Sequence, residues 1–162
     1  MFIYSTQGII LSRSTAGEAD AIFSIYTKDF GKILARAQGI KKEEAKLKGH
    51  LETLHLSSTQ FVLGKNGARL IGASLLNSWP IIRSDFDKSM AALRITETFD
   101  RHCFPNDRDE SLWNVLLESL TLLERSEFFA GDFQKFLRSF EEKFSVTLGY
   151  GDTKSAVSYG IL

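Results

Sequence analysis

The 162-residue chain reads as an α+β fold, a small five-stranded barrel followed by about three helices, on three observations. Short runs of alternating or β-branched residues, separated by glycine turns, fill residues 7–78. After Trp79-Pro80 the apolar residues change to helical spacing. The charge also changes sign: residues 1–80 carry ten Lys+Arg against six Asp+Glu, whereas residues 81–162 carry ten against fourteen. The neutral total therefore hides a basic half and an acidic half, the first suited to polyanions.

The strands follow in order. Residues 7–14 are aliphatic and β-branched and lead into a loop at Gly17. In 19–27, Ala21, Phe23 and Ile25 alternate with Ile22, Ser24 and Tyr26, the period of two of a pleated strand. Residues 33–38 repeat it, with Ile33, Ala35 and Ala37 on one face and Leu34, Arg36 and Gln38 on the other, which places Lys32 and Arg36 on the same side. Two longer strands, 51–63 and 68–78, are joined by Gly64-Lys-Asn-Gly67, a hairpin signal because such turns need positive φ. Five strands in about 75 residues with tight turns make a small closed barrel.

In the second half, Phe86, Met90 and Leu93 fall on one helical stripe, with Ser84 and Asp85 placed to cap it. Trp113, Leu116, Leu117 and Leu120 form a second stripe behind the loop Pro105-Asn-Asp107. Phe133, Phe136, Leu137, Phe140 and Phe144 form a third, which Gly149 can close as a left-handed cap. The spacing predicts two domains, 1–80 and 81–162, without a low-complexity linker, and no period is evident in 151–162.

Composition narrows the function classes. An apolar fraction of 43% is that of an ordinary globular chain, no apolar run nears the ~18 residues of a membrane span, and the first residues lack a charged leader. These features read as cytoplasmic. A single cysteine, Cys103, rules out an internal disulfide and a cysteine-only zinc site. No nucleophile elbow, phosphate-cradling glycine loop or cofactor motif is present, so the reading is non-catalytic, with no cofactor and no metal. The acidic clusters Asp85/Asp87 and Asp107/Asp109/Glu110 sit where helices begin, as favourable partners of the helix dipole. His50, His55 and His102 lack ligand spacing, and the phenylalanine stripe reads as core.

One segment carries functional chemistry. Residues 28–48 hold Lys28, Lys32, Arg36, Lys41, Lys42, Lys46 and Lys48 against Asp29, Glu43 and Glu44. A lysine-rich loop alone is a solvated turn. Here Lys32 and Arg36 project from one strand face toward the loop lysines, Tyr26 and Phe30 lie close in sequence, and small barrels combine basic grooves with stacking rings to hold single strands. Arg13 lies beside the same surface.

The chain also resembles the RecO family of bacterial recombination mediators. The likeness is carried by Gly8-Ile-Ile-Leu-Ser-Arg13, Gly17-Glu-Ala-Asp20, Tyr26-Thr-Lys-Asp-Phe-Gly-Lys32, Gly39-Ile-Lys-Lys42 and Lys46-Leu-Lys-Gly49-His-Leu-Glu-Thr-Leu54, in that order. Leu75-Leu-Asn-Ser-Trp-Pro80 and Leu148-Gly-Tyr150 extend it. The resemblance implies an OB-fold barrel and a helical domain, binding of single-stranded and duplex DNA, strand annealing, and loading of RecA with RecR and single-strand-binding protein in recombinational repair near the nucleoid. It implies DNA contacts from Lys32, Arg36, Lys41, Lys42 and Lys46, with Lys48, Arg13 and Lys28 as neighbours on the same surface. Gln38 stands where the family often has lysine. The four-cysteine zinc motif and further helices that usually follow Leu-Gly-Tyr do not follow here, so a short form is expected. A protein-protein adaptor with weak or no DNA binding is the alternative reading, and a metal-dependent nuclease stands third.

Overall fold

The computed structural model describes residues 1–42 and 45–150. Five strands, β1 (Ile3–Ala16), β2 (Asp20–Thr27), β3 (Gly31–Ala37), β4 (Leu56–Gly64) and β5 (Gly67–Asn77), close into a barrel in the order β1-β2-β3-β5-β4 and back to β1. The closure depends on the length of β1. Its first half pairs with β4, from Ile3↔Val62 to Ile9↔Leu56, and its second half with β2, from Gly8↔Thr27 to Ala16↔Asp20. A register shift between Ile10 and Ser12 lets one strand bend into both partners. The long pairing explains why β1 exceeds the 7–14 that the sequence suggests. Strands β3 and β5 run parallel and pair only at Ala35↔Ala68 and Arg36↔Arg69, so they diverge beyond that point.

The period-two reading of β3 holds: Ile33, Ala35 and Ala37 are buried and Leu34, Arg36 and Gln38 exposed. With Ile10, Phe23, Ile25, Phe61 and Leu70 they form the barrel core, which also takes Ile40 and Leu51 from the β3–β4 connection. The expected strand 51–63 begins instead at Leu56. Leu51 and Leu54 are both buried, yet three residues apart they would face opposite ways in a strand. The chain turns there, with Leu54 at φ 76, and both enter the interior.

Four helices follow among the described residues: α1 (Pro80–Ser84), α2 (Phe86–His102), α3 (Glu110–Arg125) and α4 (Asp132–Thr147). The short α1 was not legible as an amphipathic stripe, since only Ile82 is buried in it. Acidic residues cap the helices as anticipated. Asp85 accepts from the Lys88 N–H at 3.0 Å, Asp109 accepts from the Leu112 N–H at 3.0 Å, and Glu124 receives the N–H groups of Ile81 and Ile82 at the start of α1. Both α1 and α4 pack on α3. Phe140 and Phe144 are buried, and Phe133 and Phe136 lie against Phe128 at ring-centre distances of 4.8 and 5.5 Å. Gly149, at φ 102, ends α4 as the sequence suggests. The expectation for 151–162 lies outside the described residues.

The stripe read from α2 needs correction. Phe86, Met90 and Leu93 are exposed, and the buried face is Lys88, Ala91, Ala92, Ile95, Thr96 and Phe99. Lys88 is accommodated by the Ser126 carbonyl at 2.7 Å and the face of Phe128.

The described chain forms two compact units. One is the barrel, Met1–Ser78, joined by Phe99–Arg108; the other is Trp79–Thr98 with the described residues from Asp109 on. Within the barrel unit the stretch 99–108 lies along the start of β3, where Pro105 bridges Lys32 and the Asn106 N–H donates to the Lys32 carbonyl at 2.7 Å. This approach requires Gly31. Its φ is +67, and a Cβ there would stand 2.2 Å from the Asp107 carbonyl oxygen. Gly31→Ala is expected to lower stability by about 2 kcal/mol, from left-handed strain plus displacement of backbone, read as a lower urea midpoint; an unchanged midpoint would refute the close approach.

Candidate nucleic-acid interface

Beyond Ala37 the chain leaves β3 and crosses toward β5 in the 38–55 connection, which is tied to the β1–β2 turn by three groups. The Gly39 N–H donates to Asp20 Oδ1 at 2.7 Å, Arg36 donates through Nε and Nη2 to Asp20 Oδ2 at 2.9 and 2.8 Å, and Lys41 Nζ donates to the Gly17 carbonyl at 2.9 Å. The Gly39 N–H, then the Arg36 guanidinium, hold the Asp20 carboxyl below its ordinary value. The Gly17-Glu-Ala-Asp20 motif is thus the anchor of the basic loop.

Because β3 and β5 part after Arg36, an open cleft of about 940 Å³ lies between this connection and β5. Lys42, Lys46 and Arg69 line it, over a floor that includes Ile40, Leu47 and Leu70. Lys42, Lys46 and Lys48 are exposed, and no ion pair involves them among the described residues. Arg69 donates to Gln38 Oε1 at 3.3 Å. Gln38, where the family often has a cation, here steadies one. Arg36 and Arg69 stand directly opposite each other on neighbouring strands, both exposed. Like charges so placed oppose strand pairing unless an anion lies between them.

The residues named from the sequence separate into groups. Lys42 and Lys46 line the cleft, Arg36 and Lys41 border it within the Asp20 anchor, and Lys48 lies on the same connection. Lys28 is exposed in the β2–β3 turn, at the other end of β3. Arg13 lies on β1 with its guanidinium 5.6 Å from the Phe23 ring centre. Lys32, read as sharing the face of Arg36, is buried: its ammonium is 3.2 Å from the Asp100 carboxylate and donates to the Asp100 carbonyl. The 99–108 stretch covers it, which local periodicity cannot reveal.

Neither aromatic neighbour lines the cleft. Tyr26 is buried edge-on to Phe99, and Phe30 packs edge-on to Tyr4 and Phe61. Among the described residues the cleft is lined by aliphatic and cationic side chains and the Gln38 amide, with no ring. Arg69 is the site residue that sequence reasoning missed. The alternation of Arg69 and Ile71 outward with Leu70 inward is visible, but its partnership with β3 is a distant parallel pairing.

The other polar candidates are structural. His50 Nδ1 accepts from the Leu75 N–H at 3.1 Å, His55 Nδ1 receives the Glu52 N–H at 3.4 Å, and Cys103 is buried. Burial, then the Arg101 charge, lowers the His102 pKa. Among the described residues no cluster of three or more His, Cys, Asp or Glu is placed to hold a metal, and no helix is long and apolar enough to cross a membrane.

A closed five-stranded barrel in this strand order, with a cationic cleft beside the connection, defines a protein of the OB-fold class. Residues 1–79 match the family described as Recombination protein O N terminal. Similar proteins named DNA repair protein RecO include two from Dehalococcoides mccartyi strains. One is 29% identical over 123 residues, covering 76% of this chain and 49% of the relative, and the other 32% over 122 residues, covering 75% and 48%. Another, from Pelotomaculum thermopropionicum, is 26% identical over 150 residues, covering 93% and 57%. The chain belongs to the RecO family, and it spans about half the length of these relatives.

Proposed function

We propose that this protein acts in DNA repair by holding single-stranded DNA through its phosphates in the cleft beside β5. The observation that carries the reading is the convergence of Lys42, Lys46 and Arg69 on one open cleft of a chain with no net charge. The names of the relatives and the family supply the biological setting. With no aromatic platform in the cleft among the described residues, affinity rests on phosphate contacts and is indifferent to sequence. Duplex binding, strand annealing and cooperation with RecR, single-strand-binding protein and RecA follow from the family as further parts of the proposal.

Anisotropy of a labelled ~30-nucleotide oligothymidine tests it. Four contacts, from Lys42, Lys46, Lys48 and Arg69, give a slope of about −2.8 in log K against log salt, and roughly fifty-fold weaker binding at ~200 than at ~50 mM salt. Absence of binding at ~50 mM salt would remove the reading.

One observation favours the adaptor alternative: Phe86, Met90 and Leu93 are 78%, 52% and 42% exposed along one side of α2. Retained capture of a repair protein by a variant with its loop lysines reversed, alongside absent DNA binding in the parent chain, would support that reading.

A further inference from the structure

The cleft has a cation that is already occupied. Arg36 and Arg69 are register partners on neighbouring parallel strands, so their side chains leave the sheet from the same face, where one anion can bridge them. In the free protein Arg36 instead directs two of its five N–H donors, one on Nε and one on Nη2, at Asp20 Oδ2, at 2.9 and 2.8 Å. The arrangement is exposed on the arginine side, where 52% of the side chain is accessible, and solvent can reach the pair. Asp20 has a second task, since its other oxygen receives the Gly39 N–H that anchors the loop. The two oxygens are thus divided between holding the loop and holding the arginine.

We propose that Asp20 is an internal stand-in for phosphate, holding Arg36 in the free protein and yielding it to a backbone phosphate of single-stranded DNA seated between Arg36 and Arg69. The inference rests on the DNA-binding reading and adds to it a specific phosphate seat and a competitor for it. It makes Asp20 a brake on affinity: the Nε/Nη2 edge of Arg36, the edge a phosphate takes bidentately, is held by Asp20, and seating a phosphate on that edge breaks one exposed arginine–carboxylate pair. Among the described residues the cations of this region are Arg36, Arg69, Lys41, Lys42 and Lys46, and Asp20 is the carboxylate that contacts Arg36.

The test is anisotropy of labelled oligothymidine at ~50 mM salt with four variants, each checked by thermal melting. Asp20→Asn keeps an amide oxygen for the Gly39 N–H but removes the charge that holds Arg36. It is expected to bind about fivefold more tightly than the parent chain, the equivalent of one exposed ion pair. The gain is expected to vanish in Asp20→Asn/Arg36→Gln. In the parent background Arg36→Gln shifts affinity less than about twofold, because forfeiting the phosphate interaction is offset by having no ion pair to break, while Arg69→Gln weakens binding about fivefold. Binding by Asp20→Asn no tighter than the parent, with melting unchanged, would overturn the inference, as would a gain that survives removal of the Arg36 charge. Should Asp20→Asn melt lower, the arginine pair decides: weakening by Arg36→Gln as large as or larger than that by Arg69→Gln overturns it, and weakening by Arg69→Gln with Arg36→Gln near the parent sustains it. Failure of the parent chain to bind at all would take the DNA-binding reading with it, whereas parent binding without the Asp20 effect leaves that reading standing.

Discussion

Replacing Lys42, Lys46 and Arg69 together with glutamate is expected to weaken oligothymidine binding roughly 500-fold at ~50 mM salt. That figure takes three phosphate contacts, each contributing about 0.7 to the salt slope, relative to ~1 M salt where the electrostatic contribution vanishes. Repulsion from the introduced carboxylates adds to it. The slope itself should flatten by about 2, and the weakening should be the same for oligothymidine and mixed sequences, because phosphate contacts carry no base information. Folding should survive, since all three side chains are exposed. A carboxylate at position 69 would even relieve the opposition with Arg36. Lys41 is left in place for a physical reason: its Nζ holds the Gly17 carbonyl, so its reversal would disturb the loop as well as the charge. Affinity within about threefold of the parent chain, with an unaltered slope, would exclude the cleft as the DNA site.

That choice of residues differs from the one the sequence offers, and the differences share a cause. Local pattern sufficed wherever a residue's environment is set by its own strand or helix. The alternation in 33–38 placed Arg36 outward, the Asn-Gly turn fixed the β4–β5 hairpin, and aspartates at helix starts marked Asp85 and Asp109 as caps. It failed where distant segments meet. Lys32 alternates with the outward residues but is covered by 99–108, a stretch some seventy positions away. Arg69 joins Arg36 through a two-pair parallel contact, for which no periodicity exists. On α2 two apolar stripes lie side by side, and the exposed one is Phe86, Met90 and Leu93, whereas Ala91, Ala92, Ile95 and Phe99 are buried. The family resemblance pointed to the cations of β3 and the loop that follows it, and the geometry separates those that face solvent from Lys32, which holds the barrel to its returning segment.

Asp100→Ala is expected to destabilise the protein by about 3 kcal/mol, the low end of the range for breaking a buried ion pair, because 28% of the Asp100 side chain is still accessible. Lys32, with 11% of its side chain accessible, would keep a buried ammonium with no carboxylate beside it. Ser12 and Ser24, which donate to Asp100 at 2.7 and 2.6 Å, would each lose an acceptor. A total stability of ordinary size makes this a large fraction. Lys32→Met combined with Asp100→Asn should recover most of the deficit, since the charge is gone and the amide oxygen still accepts from a serine. The same group sets an acid dependence. Burial pushes the Asp100 carboxyl up, but the hydrogen bonds from Ser24, Ser12 and Lys32, with the Lys32 charge, outweigh it and leave the pKa below 3.8. The unfolded chain therefore binds the extra proton first as pH falls. The stabilisation from Asp100 is complete well above pH 3.8 and is lost as the pH drops through its lower folded value. Urea midpoints measured between pH 7 and pH 3 should fall more steeply in the parent chain than in the Lys32→Met/Asp100→Asn pair. Parallel acid profiles for the two would show that the Lys32–Asp100 contact does not secure the 99–108 segment to the barrel.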